Sequence, residues 1–537
     1  MLRLQEDREQ RPASHGRMGR LLYWLIPLSL ALIVRSDIGS PSVRPSRPHP
    51  HLIGSGTERR KPNLLLIVAD DHRGGTLGID GDPRRATPRL DELARQGVRF
   101  TKAFCNAPVC TASRQSFITG RLPHATGVTR LTTALPDTAV TLADWLAKAE
   151  YDTAGIGKMH FNSKNPHGFQ ERVDLHEWNE WLAVKPPEGG DQRRPWNPFK
   201  DPAAVWLNAA CRPEGLPAAA MDSTYFADQA IDYLRHHKAD PFFLMVSFYD
   251  PHSPFHFPRD WQSRFRRSSF KAPPITEEDR RLQPKVFQSL TEREIRGIQA
   301  AYYTSLSFLD FQVGRVLDAL DESGLTKDTV VVFLGDNGYM LGEHGRFEKH
   351  CFYEPAVRVP LIVRWPEQLP AGKRVDAMVE SVDLFPTVLE LLGNAPPKNL
   401  HGKSFVPLLR GEPGAKGRDV VFSEYLENEE AMVRSERYKL IVGTGRRKRL
   451  DGYEVDDPSP GPYLRLFDLQ TDPDENLDLS SKAEFRDVID GLLEKLYQRE
   501  VATRDGVEPI PRGLSKIEAI HWCLVPRDKI AETKKAK

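Results

Sequence analysis

The chain has 537 residues, of which 39% are hydrophobic and 28% are charged, so it is long enough to bury a large core and to form more than one domain. It carries 75 Lys and Arg residues against 74 Asp and Glu residues, and this net charge of +1 gives no indication of a nucleic-acid partner. Five scattered cysteines without a Cys-x-x-Cys pair argue against a disulfide framework and against a structural zinc site.

An apolar run of 14 residues at 21–34 follows Arg17 and Arg20. This length suits the apolar core of a secretory signal and is short for a membrane span. We therefore predict that residues 1–36 are a signal peptide or an uncleaved signal anchor, followed at 37–61 by a linker rich in Pro, Ser, Arg and His. The protein is then expected to be periplasmic or extracellular, and to contact a membrane only if this segment is uncleaved.

Apolar runs of strand length alternate with helical patterns through the next part of the chain. Fully apolar runs are typical of strands that are buried on both faces of a parallel sheet. The predicted strands lie within 61–75, 151–160, 241–255 and 328–338, and the predicted helices lie at 87–97, 141–150, 227–237 and 302–324. This order predicts an α/β fold, with a large mixed, mostly parallel sheet flanked by helices, in a domain that we place at 62–411. Ligands of such sheets bind beyond the carboxyl ends of the strands.

Acidic side chains follow two of the predicted strands. Asp70 and Asp71 end the first, and Asp336 and Asn337 end the last. Three carboxylates and an amide oxygen brought together repel one another unless a cation neutralises them, and such hard oxygen ligands favour calcium or magnesium. Separate helix caps and turn acids are the alternative, and either pair alone would favour it. Both pairs at the end of core strands favour the metal site.

Basic side chains are expected at the same edge of the sheet. Each alone could be a surface charge or a histidine with an ordinary hydrogen-bond partner. Together with an acidic metal site, they indicate a small anionic group that bridges metal and cations, such as a sulfate or phosphate ester. The candidates are Arg114, Lys158, His160, His252 and Lys349.

The stretch 105–121, CNAPVCTASRQSFITGR, holds Cys105 and Cys110. A disulfide, a metal site, a thiol nucleophile and a modified cysteine are all compatible with two cysteines at this spacing. The residues after Cys110 are predicted to begin a helix, so its side chain would meet the positive end of the helix dipole. A thiolate nucleophile is conceivable there, but no histidine with a carboxylate partner stands in an obvious relay position. An oxygen nucleophile would suit a hard cation better.

The segment CTASRQSFITGR (110–121) resembles the signature of the type I, formylglycine-dependent sulfatases of the alkaline-phosphatase-like superfamily, Cys-x-(Pro/Ala)-Ser-Arg. Ala112 stands where this family usually has proline. IVADDHRGG (67–75), GKMH (157–160) and the Asp-Asn-Gly loop with its downstream lysine (334–366) are similar to further motifs of the family, in the same order along the chain, as is DPHSPF (250–255). The resemblance extends from about Asn63 to the C-terminus.

This resemblance implies a nucleophile and a metal site. A formylglycine-generating maturation enzyme would oxidise Cys110 to formylglycine (3-oxoalanine), whose hydrate would bind one calcium ion with one hydroxyl and attack sulfur with the other. The calcium ligands besides Cys110 would be Asp70, Asp71, Asp336 and Asn337. Cys105 would be a bystander.

The resemblance also implies roles for the basic residues. Arg114 and Lys158 would steady the hydrate, and His160 would be the base that releases sulfate by regenerating the aldehyde. His252 and Lys349 would bind sulfate oxygens, with His252 the preferred proton donor to the leaving alcohol.

The family has a smaller C-terminal domain with an antiparallel sheet, and short strand patterns followed by a helix at 483–500 predict such an α+β subdomain at 412–537. The loops 178–202 and 445–452 are candidates for substrate recognition, and His344 is a weaker one.

The activity expected from the resemblance is hydrolysis of a sulfate ester, on a sulfated carbohydrate or another small sulfated molecule. A phosphodiester or phosphonate monoester hydrolase of the same superfamily is the first alternative. A non-catalytic binder of sulfated glycans is the second, although every position of the expected chemistry is filled.

Overall fold

The computed structural model describes residues 61–191, 193, 203–236, 240–446, 453–456, 459 and 461–527. These residues belong to one compact unit, so the predicted domain boundary between 411 and 412 stays a prediction. The predicted signal segment and all but the last residue of the predicted linker lie outside the described residues, as do most of 192–202 and 447–452. None of the described helices combines the length and the apolar character that a membrane crossing requires.

Strands in the described residues form two sheets. The bounds of the strands are β1 (Asn63–Ala69), β2 (Val98–Phe104), β3 (Asp152–Gly157), β4 (Glu171–Val173), β5 (Phe242–Ser247), β6 (Thr329–Gly335), β7 (Arg358–Arg364), β8 (Lys373–Val375), β9 (Val379–Glu380), β10 (Val420–Tyr425), β11 (Glu430–Ser435), β12 (Tyr438–Gly443) and β13 (Tyr463–Asp468). The order in the larger sheet, of nine strands, is β4-β3-β5-β1-β6-β7-β2-β8, with β9 beside β2, and that in the smaller one, of four strands, is β10-β11-β12-β13.

Helices cover both faces of the larger sheet and one face of the smaller. The bounds of the α-helices in the described residues are α1 (Pro88–Gln96), α2 (Cys110–Thr119), α3 (Pro123–Thr126), α4 (Leu142–Lys148), α5 (Leu175–Val184), α6 (Ala203–Trp206), α7 (Asp222–His236), α8 (Glu277–Leu282), α9 (Glu292–Glu322), α10 (Glu354–Val357), α11 (Leu384–Leu391), α12 (Val406–Arg410), α13 (Arg486–Ala502) and α14 (Lys516–Cys523).

Both faces of β1 are buried, which explains why nearly all of its residues are apolar. Leu64, Leu66 and Val68 lie in the hydrophobic core that α2 and α11 cover, whereas Leu65 and Ile67 lie in the core that α1, α7 and α9 cover. Because successive side chains of a strand point to opposite faces, a strand between two helical layers must be apolar at every position. The predicted strands β1, β3, β5 and β6 are confirmed, and they are paired in parallel.

One strand of the central region runs in the opposite direction. β7 pairs antiparallel with β6 on one side and with β2 on the other, so β2 has the same direction as β6. The carboxyl end of β2 therefore lies at the same edge of the sheet as that of β6. Residues 105–109 connect this end to α2, which brings the start of α2 to that edge.

The longest helix begins earlier than its apolar pattern predicts. α9 starts at Glu292 instead of about 302, and a capping box joins the Thr291 side chain to the backbone of Glu294. The added stretch 292–301 begins with charged residues and contains Gly297 and Gln299 among its buried positions, so its sequence has no continuous apolar pattern.

The smaller sheet is antiparallel throughout, and each of its two faces packs against a different hydrophobic core. Leu440 and Leu466 pack against α13 and α14, whereas Met432 and Ile441 face the core of the larger sheet. The predicted C-terminal antiparallel sheet and its following helix are thereby confirmed.

Candidate active site

Four parallel strands deliver polar side chains to one edge of the sheet. Asp70 follows β1, Lys158 follows β3, Asp250 lies three residues beyond β5, and Asp336 follows β6. Cys110, the first residue of α2, reaches the same edge because β2 ends there. The predicted convergence of these groups is therefore what the parallel topology produces.

Three carboxylates lie together in the interior. Asp70, Asp71 and Asp336 are fully buried, and each offers an oxygen atom that lies within 4.8 Å of those of the other two. The Asp71 amide donates to Asp336 Oδ1 over 3.0 Å, and Asn337 Nδ2 donates to Asp71 Oδ1 over 2.7 Å.

Three buried oxygens of this cluster accept no hydrogen bond within the described residues. They are Asp70 Oδ1, Asp71 Oδ2 and Asn337 Oδ1. A buried carboxylate oxygen without a partner is costly, and the cost falls if a cation binds to it. The donor set therefore fits a hard cation that prefers oxygen ligands, as the sequence predicts.

The surrounding charges do not neutralise the carboxylates evenly. Burial raises the pKa of Asp70, but Lys158, His252, Lys349 and Arg114 lower it further, so the pKa lies well below its usual range. Burial and the charge of Asp70 hold the pKa of Asp336 well above its usual range. The protein's own cations thus outweigh the effect of burial on the pKa of Asp70 but not on that of Asp336, so the cluster suits a further positive charge.

Two lysines and a histidine face this cluster. Lys158 Nζ forms an ion pair with Asp70, Lys349 Nζ lies 2.6 Å from Asp71 Oδ1, and His252 Nε2 lies 3.8 Å from Asp71 Oδ2. Both lysines are buried, whereas the side chain of His252 keeps 26% of its surface exposed. Burial lowers the pKa of Lys349, but Asp71 and its neighbours raise it well above the usual range, so this lysine is charged.

Arg114 lies behind the cluster rather than at its open side. Its Nε donates to Asp336 Oδ2 over 2.7 Å, and one terminal nitrogen donates to the Lys158 carbonyl and to Ser247 Oγ over 2.5 and 2.6 Å. The other terminal nitrogen lies 3.9 Å from Asp70 Oδ1 and has no hydrogen-bond acceptor within the described residues. Arg114 thus joins α2 to three strands and keeps one buried donor available.

Cys110 lies between the carboxylates and the cations. It is 1% exposed, and its sulfur, a carboxylate oxygen of Asp70 and a ring nitrogen of His252 all lie within 4.8 Å of one another. Burial raises the pKa of the thiol, but Lys158, Lys349 and His160 lower it well below its usual range. The position therefore stabilises a negatively charged atom at the end of this side chain.

His160 lies beside Cys110, on the chain that follows β3. Its Nε2 lies 3.1 Å from Thr111 Oγ1, and Thr111 Oγ1 donates to the carbonyl of Leu131. Burial lowers the pKa of His160. The backbone φ at His160 is 61°, a left-handed conformation that is uncommon for residues other than glycine.

Two residues considered from the sequence lie in other surroundings. Cys105 is buried in the core that contains Phe104, and its sulfur lies 3.9 Å from the Ala356 carbonyl. His344 is buried, with Nδ1 2.7 Å from Asp279 Oδ1 and its ring stacked on Tyr353 at 3.7 Å. His344 thus joins its loop to α8 and contacts Asp279 and Tyr353 rather than the carboxylate cluster.

A sequence model of the family named Sulfatase matches residues 62–394, more than half of the chain. The chain belongs to the sulfatase family. A second family model, N-sulphoglucosamine sulphohydrolase, C-terminal, matches residues 342–502. The family predicted from the motif at 110–121 is therefore confirmed.

Named relatives cover most of this sulfatase. A steryl-sulfatase of Mus musculus is 30% identical, with 68% of each chain covered, and an arylsulfatase of Clostridium perfringens is 29% identical over 83% of this chain and 96% of the relative. The solved structure of a phosphonate monoester hydrolase of Agrobacterium radiobacter superposes with a TM-score of 0.71 at 25% identity, covering 82% of this chain and 96% of the other. The protein is accordingly a sulfuric ester hydrolase with the fold of its superfamily.

Three side chains of the sulfatase site are not apparent from its motifs. Ser247 is the last residue of β5 and accepts a hydrogen bond from Arg114. Thr111 contacts His160, and the Tyr249 ring lies 5.3 Å from Lys158 Nζ. Their only signal in the sequence is that they lie next to a predicted strand end or beside Cys110, because such contacts depend on how distant segments pack.

Proposed function

We propose that this sulfatase cleaves its sulfate ester at the cluster of Asp70, Cys110 and Lys349, with a formylglycine derived from Cys110 and one calcium ion. The observation that carries the proposal is the set of buried, unpartnered oxygens beside buried cations. Carboxylates alone would repel a sulfate, and cations alone would leave the carboxylates without a counter-charge. Both sets together suit a dianionic ester bound against a metal ion.

The calcium ion would be held by oxygens of Asp70, Asp71, Asp336 and Asn337. These ligands are hard oxygens without a sulfur or imidazole among them, which favours calcium over softer metals. When bound, calcium supplies positive charge that attracts the sulfate oxygens and favours an ionised oxygen nucleophile.

The nucleophile would come from Cys110 after oxidation by a formylglycine-generating maturation enzyme. The resulting group supplies a hydroxyl oxygen, which is a harder nucleophile than a thiolate and is compatible with calcium. Arg114 supports this role, because its unpartnered terminal nitrogen is buried close to Asp70. Lys158, which follows β3, would stabilise negative charge on the hydroxyl oxygen of the formylglycine hydrate.

The remaining side chains would bind sulfate and move protons. Lys349 is buried and paired with Asp71, so it offers a fixed positive charge to a sulfate oxygen. His252 is more exposed than Lys349, so the leaving alcohol would depart toward solvent on the side of His252. Its Nε2 is therefore the proposed proton donor to this alcohol. His160 lies beside Cys110 and is the proposed base toward that side chain.

Replacement of either sulfate-binding residue is expected to lower turnover strongly. Lys349→Ala and His252→Ala should each reduce kcat on an aryl sulfate about a hundredfold or more, as removal of an oxyanion donor does. Matched controls are Lys327→Ala, an exposed lysine paired with Glu367, and His236→Ala, an exposed histidine. Near wild-type rates in both site variants would place the sulfate elsewhere.

The substrate is proposed to be a sulfated carbohydrate or another small sulfated molecule. The likeness to a phosphonate monoester hydrolase makes phosphonate monoesters the second candidate, because the same cations and carboxylates could receive them. Paired aryl sulfate and aryl phosphonate esters with the same leaving group should be compared after co-expression with a maturation enzyme. A higher kcat/KM for the sulfate is expected, and a preference for the phosphonate would favour the second candidate.

A further inference from the structure

A groove with a volume of about 740 Å³ lies between helix α13 and the segment 398–420. We call it the basic groove. It is lined by six basic side chains of lysine and arginine, namely Lys398, Lys403, Lys416, Lys495, Arg418 and Arg499. Three acidic side chains, those of Asp383, Asp419 and Asp505, also line it. The whole chain has a net charge of only +1, so this excess is local.

The basic side chains of the groove fall into two groups. Arg418 and Arg499 are paired, since Arg418 Nε donates to Asp383 over 2.8 Å and Arg499 donates to Glu380 over 2.8 Å. The four lysines are exposed, and no ion pair joins any of them to another side chain among the described residues. The arginines therefore hold the groove together, whereas the lysines leave positive charge available to a ligand.

A second depression, with a volume of about 420 Å³, shares Asn399 and Leu400 with the basic groove. Its lining includes Trp145 and Val140, and Arg121 contributes a further cation. Val140 is 47% exposed. An aromatic ring packs against the apolar face of a sugar ring, and nearby cations attract the negative groups of the sugar. The depression therefore suits a chain of negatively charged sugar rings.

The groove is separate from the catalytic cluster. Cys110 begins α2, whereas Gly120, just past its last residue, meets His401, whose amide donates to the Gly120 carbonyl over 2.9 Å. A helix of 10 residues spans about 15 Å. The two sites therefore lie at opposite ends of α2, and a single sulfated monosaccharide could not occupy both.

We propose that the basic groove and its adjoining depression bind a segment of a sulfated polysaccharide. The charge of the lysines suits a repeating anion, and the neighbouring Trp145 suits sugar rings. The choice of sulfate over other anions rests on the proposed function, since the enzyme would act on molecules that carry this group. The substrate would then be polymeric, held at one place and cleaved at another.

The test measures binding without turnover, in the full chain carrying Cys110→Ala. Its Kd for dextran sulfate is compared with that of the same chain carrying Lys→Gln at all four groove lysines. We expect the Kd to rise about tenfold or more, because each exposed charge pair contributes modestly and four of them are lost together. The difference should shrink as salt is added.

The matched control has the same change in net charge outside the groove. It carries Lys→Gln at Lys185, Lys271, Lys327 and Lys482, which are exposed and do not line either depression. We expect its Kd to stay within about twofold of that of the parent. Thermal unfolding of each variant checks that the fold is retained.

Three outcomes would overturn the proposal. They are an unchanged Kd in the groove variant, an equal loss in the control variant, and binding of single-stranded DNA as tight as that of dextran sulfate. Unsulfated dextran should bind weakly to every variant. Hydrolysis of an aryl sulfate by matured enzyme with an intact Cys110 is measured separately, and the groove variant should keep the parent kcat. Loss of that hydrolysis in the parent itself would refute the proposed function and leave the binding result standing.

Discussion

Replacement of Cys110 with alanine is expected to abolish sulfate ester hydrolysis while leaving folding largely intact. Cys110 is buried at the start of α2 and lies beside Asp70 and His252, so its loss removes the proposed nucleophile without removing a core element. In active parent protein, conversion of the thiol-bearing methylene to an aldehyde should make the peptide containing Cys110 about 18 Da lighter. Mass spectrometry of digested protein, produced with and without a maturation enzyme, measures both states.

The matched control for this experiment is Cys105→Ala. Cys105 is equally buried but lies in the hydrophobic core, so its replacement should cost about 1 kcal/mol of stability and leave kcat unchanged. An active preparation in which Cys110 is entirely unmodified would contradict the proposed mechanism. Loss of activity in Cys105→Ala with a retained fold would contradict the assignment of the nucleophile to Cys110.

Replacement of Asp336 with asparagine is expected to remove calcium binding and to lower turnover at least a hundredfold or so. The variant keeps an oxygen that can accept from the amides of Asp71 and Asn337, but it places an amide nitrogen opposite the Arg114 Nε donor, so thermal unfolding is measured as well to check that the fold is retained. Calorimetry should show calcium binding to the parent and none to the variant. Calcium at about a hundred times its Kd should also stabilise the parent by about 2.7 kcal/mol, which is visible as a higher Tm.

Asp310→Asn is the control for the metal prediction. Asp310 is also buried, but it accepts hydrogen bonds from the amides of Arg89 and Leu90 at the start of α1, far along the chain from the cluster. This variant should bind calcium as the parent does. Full turnover of Asp336→Asn, or turnover by the parent that survives prolonged chelation, would show that the metal assignment is wrong.

The carboxylate cluster could be predicted because its acids follow recognisable apolar runs. Asp70 and Asp336 each follow an apolar run, and such runs are strands of a parallel sheet whose carboxyl ends meet. The basic residues Lys158 and His160 follow from the same argument. The family motif added Cys110 and the roles of the cations, which no apolar pattern could provide.

Other features depend on packing between distant segments and could not be predicted. The reversed direction of β7 is not visible in its composition, because a buried antiparallel strand is as apolar as a parallel one. The contacts of Arg114 with Ser247 and the Lys158 carbonyl join residues 133 and 44 positions apart. The start of α9 at Glu292 also could not be predicted, because the stretch 292–301 mixes charged residues with Gly297 and Gln299 and lacks a continuous apolar pattern.

The reversal of β7 has a consequence for how the residues of the candidate site are connected. Since β6 ends and β7 begins at the same edge, the chain from Asp336 to Val357 never has to cross the sheet. Asp336, Asn337 and Lys349 therefore lie on one continuous excursion above the strands. Nearly all of this excursion is buried, so packing holds two of the proposed metal ligands and the proposed sulfate-binding lysine in place as one unit.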